Sequence, residues 1–151
     1  MEYFVQLFYS LDQTTKTNAK VEALAHYFAQ VDEQDRLWTM ALLSHRRPKR
    51  TVTTTFLRQW AAELGGLPLW LFEDSYHIVG DLAETIALVL PQPNHQVKES
   101  LTYWIDYIKS LVSLNEDEKK EKIMQAWDSL SAPERFVFNK VITGGFRVGV
   151  S

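Results

Sequence analysis

The stretch Ser131-Ala-Pro-Glu-Arg-Phe-Val-Phe-Asn-Lys-Val-Ile-Thr-Gly-Gly145 contains signals for both ends of a helix. Ser131 and Glu134 have the spacing of a capping box, and Pro133 stands in the first turn, where its missing amide hydrogen costs little. The apolar residues that follow recur at helical spacing. The two final glycines can take the positive φ that ends a helix. The stretch therefore predicts one complete α-helix.

The rest of the chain repeats this pattern. Apolar residues recur at three- and four-residue spacing, which together with cap signals predicts about eight helices, and no segment alternates strongly enough to predict a strand. The apolar residues that define these segments are Phe4, Leu7, Phe8 and Leu11; Val21, Leu24, Ala25 and Phe28; Leu37, Met40 and Ala41; Phe56, Leu57, Trp60 and Leu64; Leu69–Phe72; Leu101, Trp104, Ile105, Ile108, Leu111 and Val112; and Ile123, Trp127 and Leu130. The predicted fold is all-α, a compact multi-helix bundle in a single domain of residues 1–151, and its large aromatic residues are expected in the core.

Composition narrows the possible functions. The chain has 151 residues, of which 46% are hydrophobic, which is ample for one core. It has no cysteine, which excludes disulfides and a thiol nucleophile and fits a reducing compartment, so we expect a cytoplasmic protein. No apolar run approaches the roughly 20 residues of a membrane span. The net charge of −3 makes diffuse nucleic-acid binding unfavourable, so any such function requires a local basic patch.

The end of the sequence is apolar. Phe146, Val148 and Val150 alternate with Arg147, Gly149 and Ser151, which indicates the start of a second packed element. Because free termini are usually polar and frayed, we expect this chain to be one domain of a longer protein that continues after Ser151.

The segment Ser44-His-Arg-Arg-Pro-Lys-Arg50 carries four permanent cations within five positions, and Pro48 breaks any helix there. Charge of this density repels itself unless a partner neutralises it. The segment therefore favours a phosphate-rich partner. The alternative is an ordinary exposed loop, since surface lysine and arginine are common.

Two glycine-containing segments allow close approach of the backbone to another molecule. In Val79-Gly-Asp-Leu-Ala-Glu-Thr85, Asp81 and Glu84 have capping-box spacing directly after Gly80, so the segment predicts a well-defined helix start and no metal site. Thr143-Gly-Gly-Phe-Arg-Val-Gly149 provides a turn at a helix end, small residues and one arginine, but it lacks the Lys-Ser/Thr of a P-loop. A helix starting near Val148 would add free amides for an anion. Spacing alone favours a simple helix–turn–helix junction.

Taken together, these segments resemble the N-terminal DNA-binding domain of ATP-dependent DNA ligases, particularly a bacterial branch. The resemblance rests on Val79-Gly-Asp-Leu-Ala-Glu-Thr-Ile86 and on Glu134-Arg-Phe-Val-Phe-Asn-Lys-Val-Ile-Thr-Gly-Gly-Phe-Arg-Val-Gly-Val-Ser151, and it covers nearly the whole chain, including the basic segment. Two separated matches in the right order are far more specific than either alone.

The resemblance implies an all-helical domain that grips nicked duplex DNA on its backbone and minor groove in DNA repair or replication. Adenylation and OB-fold domains would follow Ser151 and close a clamp around the DNA, with ATP and magnesium as cofactors of the intact ligase and none in this chain. The implied DNA-binding residues are Arg46, Arg47, Lys49, Arg50, Gly80, Asp81, Thr143, Gly144, Gly145, Arg147 and Gly149.

The chain departs from the complete family pattern in one respect. Ligases form a lysyl-adenylate on the lysine of a Lys-x-Asp-Gly motif, and no lysine of this sequence precedes Asp-Gly at that spacing. We expect no catalytic residue here, and ligase activity only in the intact protein. Two alternatives remain: a helical protein–protein interaction module with a basic docking loop, and a small enzyme using one of the four histidines, for which no motif spacing is present.

Overall fold

The computed structural model of the chain describes residues 1–46, 48–144 and 146. This part contains nine α-helices, one 3-10 turn and no strand, which confirms the all-α prediction. The elements are α1 (Glu2–Asp12), α2 (Thr17–Gln30), α3 (Glu33–Leu43), α4 (Thr54–Leu64), α5 (Leu69–Val79), α6 (Leu82–Val89), α7 (Leu101–Ser110), the 3-10 turn Leu111–Ser113, α8 (Glu116–Ser129) and α9 (Ala132–Thr143). None of these helices is long and apolar enough to cross a membrane.

The helices begin where the cap signals predict. The carboxylate of Asp32 accepts from the amide of Asp35 at 2.9 Å, and that of Asp81 accepts from Glu84 at 2.9 Å. Ser131 and Glu134 form the predicted capping box. A second capping box at Asn115 starts α8. It separates α8 from α7, although the apolar spacing continues through this region of the sequence. This break raises the number of helices above the number predicted.

Helices α6 and α9 are the central pair, and they pack antiparallel. At one end, the ammonium of Lys140 in α9 forms an ion pair with Asp81 at the start of α6. At the other end, the guanidinium of Arg135 donates to the carbonyl of Pro91, just after α6, at 2.6 Å. The same side chain donates to the carbonyl of Trp127 at 2.6 Å, and its burial lowers the pKa of Arg135. The start of α6 and the end of α9 therefore lie at the same end of the pair.

The hydrophobic core packs against this pair. Phe8, Trp60, Trp104 and Trp127 are buried as predicted, and Phe28 packs partly buried against them. Phe146, the last described residue, makes an edge-to-face contact with the ring of Phe8, whose centroid is 5.5 Å away.

The prediction of which face of α3 is buried is wrong. Leu37 and Met40 are 57% and 51% exposed, while the buried positions include Asp35 and Thr39. The Asp35 carboxylate accepts from two backbone amides at the start of α7, and the Thr39 hydroxyl lies 2.6 Å from that of Tyr27. Because these polar groups have hydrogen-bond partners inside the protein, their burial is tolerated, and a hydrophobicity pattern assigns the face incorrectly.

Two other apolar segments are more exposed than predicted. In α2 the buried residue is Tyr27, and Val21 is 56% exposed. In α5 only Phe72 is buried, and Trp70 is 65% exposed. The face that each of these helices packs against the core is narrower than the number of its apolar residues indicates.

Candidate nucleic-acid interface

Two helix ends form the centre of the candidate site. The side chain of Lys140 is 10% exposed and that of Asp81 is 30% exposed, so their ion pair is partly shielded from water. One carboxylate oxygen of Asp81 caps α6, and the other pairs with Lys140, whose ammonium also lies 5.4 Å from the ring centroid of Phe136. This pair fixes the start of α6 one helical turn before the end of α9.

Gly80 precedes this helix start in the left-handed conformation, with φ 82°, and its amide donates to the carbonyl of Tyr76 at 2.8 Å. A side-chain carbon placed on Gly80 would meet no atom within 4 Å. Packing therefore does not require glycine here, but the positive φ does. The space in front of the junction is open, and the first amides of α6 have no acceptor within the helix.

Gly144 ends α9 in a conformation that is essentially confined to glycine, with φ 84° and ψ 176°. Its amide donates to the carbonyl of Lys140 at 2.7 Å. The hydroxyl of Thr143 donates back to the carbonyl of Asn139 at 3.0 Å, so this side chain is already bonded within the helix. The prediction that this segment contains a helix-ending turn is confirmed.

The basic loop, residues 44–50, begins at the tight turn that ends α3. His45 has φ 65°, and the amides of His45 and Arg46 donate to the carbonyls of Leu42 and Ala41, which is the Schellman pattern. At its other end, Thr51 is buried, and its hydroxyl donates to the carbonyl of Ile108 at 3.0 Å. The loop is thus held at both ends.

The basic loop lies next to the end of α9. The guanidinium of Arg50 is within 3.5 Å of the carbonyl oxygen of Thr143. Arg46 and Lys49 of the same loop are exposed. Since Thr143 follows Lys140 by one turn, the loop and both glycine junctions occupy the same end of the α6–α9 pair.

The structure thus brings together several residues that the sequence singled out. Gly80 and Asp81 meet α9 through Lys140, and Arg50 meets Thr143 beside Gly144. The assignment of these residues to DNA contact stays a prediction. Four of the predicted residues lie outside the described part of the chain: Arg47, Gly145, Arg147 and Gly149.

Sequence reasoning missed Lys140. Its partner is 59 positions away, and a single lysine inside an amphipathic helix carries no signal of burial. Within the described ranges, no group of three or more histidine, aspartate or glutamate side chains is arranged to hold a metal ion.

Comparison with known families identifies the domain. The family model described as DNA ligase N terminus matches residues 1–151, so the chain belongs to the family of N-terminal domains of ATP-dependent DNA ligases. This match confirms the family predicted from sequence, while the bacterial branch stays a prediction. No curated protein matches the chain.

Proposed function

We propose, from its membership of the DNA ligase N-terminal family, that this chain binds nicked duplex DNA without regard to sequence, through the sugar-phosphate backbone and the minor groove. The observation that carries the proposal is the position of the basic loop and both glycine junctions at one end of the α6–α9 pair. Nicks occur at any sequence, so contacts to the backbone suit a ligase better than contacts to base edges.

Charge and backbone geometry support this surface. Arg46, Lys49 and Arg50 are exposed cations, and the hydrogen bond from Arg50 to Thr143 is long and exposed, so all three side chains can reach phosphates. Asp81 would repel phosphates, but Lys140 neutralises its carboxylate. The open space at Gly80 lets a phosphate approach the first amides of α6, where the helix dipole adds about 0.3–1 kcal/mol of attraction.

We place the ligation chemistry outside this chain. No lysine here precedes Asp-Gly in the manner of a lysyl-adenylate nucleophile. In the proposal, adenylation and OB-fold domains of the same protein supply that lysine together with the sites for ATP and magnesium, and this domain holds the DNA for them during repair or replication.

Salt dependence tests the electrostatic part of the proposal. We expect the logarithm of duplex affinity to fall against the logarithm of salt concentration with a slope of about −4, because four or five neutralised phosphates each contribute roughly −0.9. Fluorescence anisotropy with a labelled duplex at several salt concentrations measures it. Unlabelled heparin is the competitor: equal competition by heparin and duplex would favour the alternative, a module that docks an acidic protein.

A substitution at Gly80 tests whether the protein backbone approaches the DNA closely at this position. The change Gly80→Ala is expected to cost about 1 kcal/mol of stability because alanine is strained at positive φ, and in addition to weaken duplex binding severalfold because the new methyl group occupies the open space. Thermal unfolding and anisotropy separate the two effects.

Gly66→Ala is a matched control. Gly66 also has positive φ, 70°, and open space around its missing side chain. It lies at the far end of α6, since a side-chain carbon on the neighbouring Gly65 would stand 2.8 Å from the carbonyl oxygen of Val89. This variant should lose similar stability and keep its duplex affinity. Equal affinity in both variants would remove Gly80 from the interface.

A further inference from the structure

A groove with a volume of about 450 Å³ runs between α1, α6 and α9. Lys140 and Asp81 form part of its lining, and the rest of the lining includes none of the proposed DNA-contact residues. Its walls are mostly apolar: Phe8, Tyr9, Ala87, Leu88, Pro133 and Phe136.

The groove exposes apolar surface that folding leaves uncovered. Leu88 is 66% exposed near the end of α6, and Tyr9 is 37% exposed on α1. The rings of Tyr9 and Phe136 stack with their centroids 6.5 Å apart and their planes inclined by 28°, which forms a flat wall. An uncovered aliphatic residue beside an aromatic wall is typical of a surface that receives an apolar side chain.

The rim of the groove is acidic. The exposed carboxylates of Asp12 and Glu84 stand at its edges, and the one cation among its lining residues, Lys140, is paired with Asp81. The pKa of Tyr9 is raised, first by burial and then by the charges of Glu84 and Asp12. Both carboxylates therefore act on the wall of the groove, and this rim favours a ligand with positive charge.

We propose that this groove binds a basic amphipathic peptide segment of a partner protein. One or two large apolar side chains fill the space against Leu88, Tyr9 and Phe136, and lysine or arginine residues of the segment pair with Asp12 and Glu84. Helix-in-groove recognition combines apolar anchors with complementary flanking charges in this way.

A second copy of this chain does not match the groove as well. The basic loop is the most densely cationic segment in the described part of the chain, and it carries no large apolar side chain. The exposed apolar residues Trp70 and Ile78 lie on α5, whose exposed charged residue is the acidic Asp74. A partner that carries cationic residues and large apolar side chains on one segment fits the groove better.

The test uses two short synthetic peptides, each with leucine and phenylalanine anchors at helical spacing, one flanked by lysines and the other by glutamates. We expect the lysine peptide to bind roughly tenfold more tightly, with the difference falling as salt is added. NMR shifts of the isotope-labelled chain should change at Tyr9, Leu88 and Phe136. The change Leu88→Ala, at an exposed position, should weaken binding by about tenfold because the peptide loses its apolar partner.

Charge reversal provides the decisive comparison. The double change Asp12→Lys with Glu84→Lys should reverse the preference, so that the glutamate peptide binds more tightly. Glu22→Lys with Glu121→Lys, at exposed positions outside the groove, changes the net charge equally and should preserve the original preference. The proposal is overturned if the two reversals behave alike, if the shifts cluster elsewhere, or if sedimentation shows that a second copy covers the groove. Removing the charges of the basic loop should leave peptide binding intact, so this proposal and DNA binding can fail separately.

Discussion

Duplex affinity is expected to fall about a hundredfold when Arg46, Lys49 and Arg50 are replaced together by alanine. Each charge-assisted phosphate contact at an exposed site contributes about 1 kcal/mol, so three contacts contribute about 3 kcal/mol. The salt slope should become shallower by roughly 3, because three fewer counterions are released. The loss should be the same for duplexes of unrelated sequence, since phosphates carry no sequence information. Anisotropy titrations with two duplexes at several salt concentrations measure all three effects.

The matched control is the triple change of Lys16, Arg36 and Lys122 to alanine. These three side chains are exposed and lie outside the basic loop, so both variants change the net charge by the same amount. Folding should survive in both, because the hydrogen bond from Arg50 to Thr143 is exposed and 3.5 Å long. If the two variants lose affinity equally, overall charge explains binding and the basic loop has no special part in it.

The sequence predicts helix ends better than helix faces in this protein. Ser131, Asp32 and Asp81 cap their helices as expected, because a cap depends on residues three positions apart. The 3-10 turn Leu111–Ser113 between α7 and α8 escaped prediction, since its apolar residues continue the helical spacing.

Buried faces depend on partners far away in sequence. The Asp35 carboxylate on α3 is buried because it accepts hydrogen bonds from Leu101 and Thr102, 66 and 67 positions later. Hydrophobic periodicity assigns such a carboxylate to the surface and its apolar neighbours to the core. The exposure of Leu37 and Met40 follows from that long-range pairing, and a single sequence contains no signal for it.

The candidate site shows the same difference between local features, which a sequence reveals, and long-range contacts, which it does not. Its individual parts, a basic loop and two glycine junctions, could be identified from sequence because charge density and glycine position are local properties. Their meeting at one end of the α6–α9 pair could not be, since it depends on the Arg50–Thr143 and Asp81–Lys140 contacts across 93 and 59 positions.

The Asp81–Lys140 pair should show opposite effects on DNA binding and equal effects on stability. Lys140→Met leaves a partly shielded carboxylate without its cation, and Asp81→Asn keeps an N-cap but leaves a buried ammonium without its anion. Each change should cost about 2 kcal/mol, a value between those of exposed and fully buried pairs. The double variant should lose less than the sum, which gives a coupling energy of about 1–2 kcal/mol in a double-mutant cycle measured by urea unfolding.

Duplex binding shows whether the Asp81–Lys140 pair only supports the fold or also contributes to the DNA surface. Lys140→Met uncovers the negative charge of Asp81 beside the phosphates, so affinity should fall, whereas Asp81→Asn uncovers a positive charge and affinity should hold or rise. Binding is measured well below the unfolding transition, so that both variants remain folded. A fall of equal size in both would mean that the pair only supports the fold, and the start of α6 would then have to be removed from the proposed DNA surface.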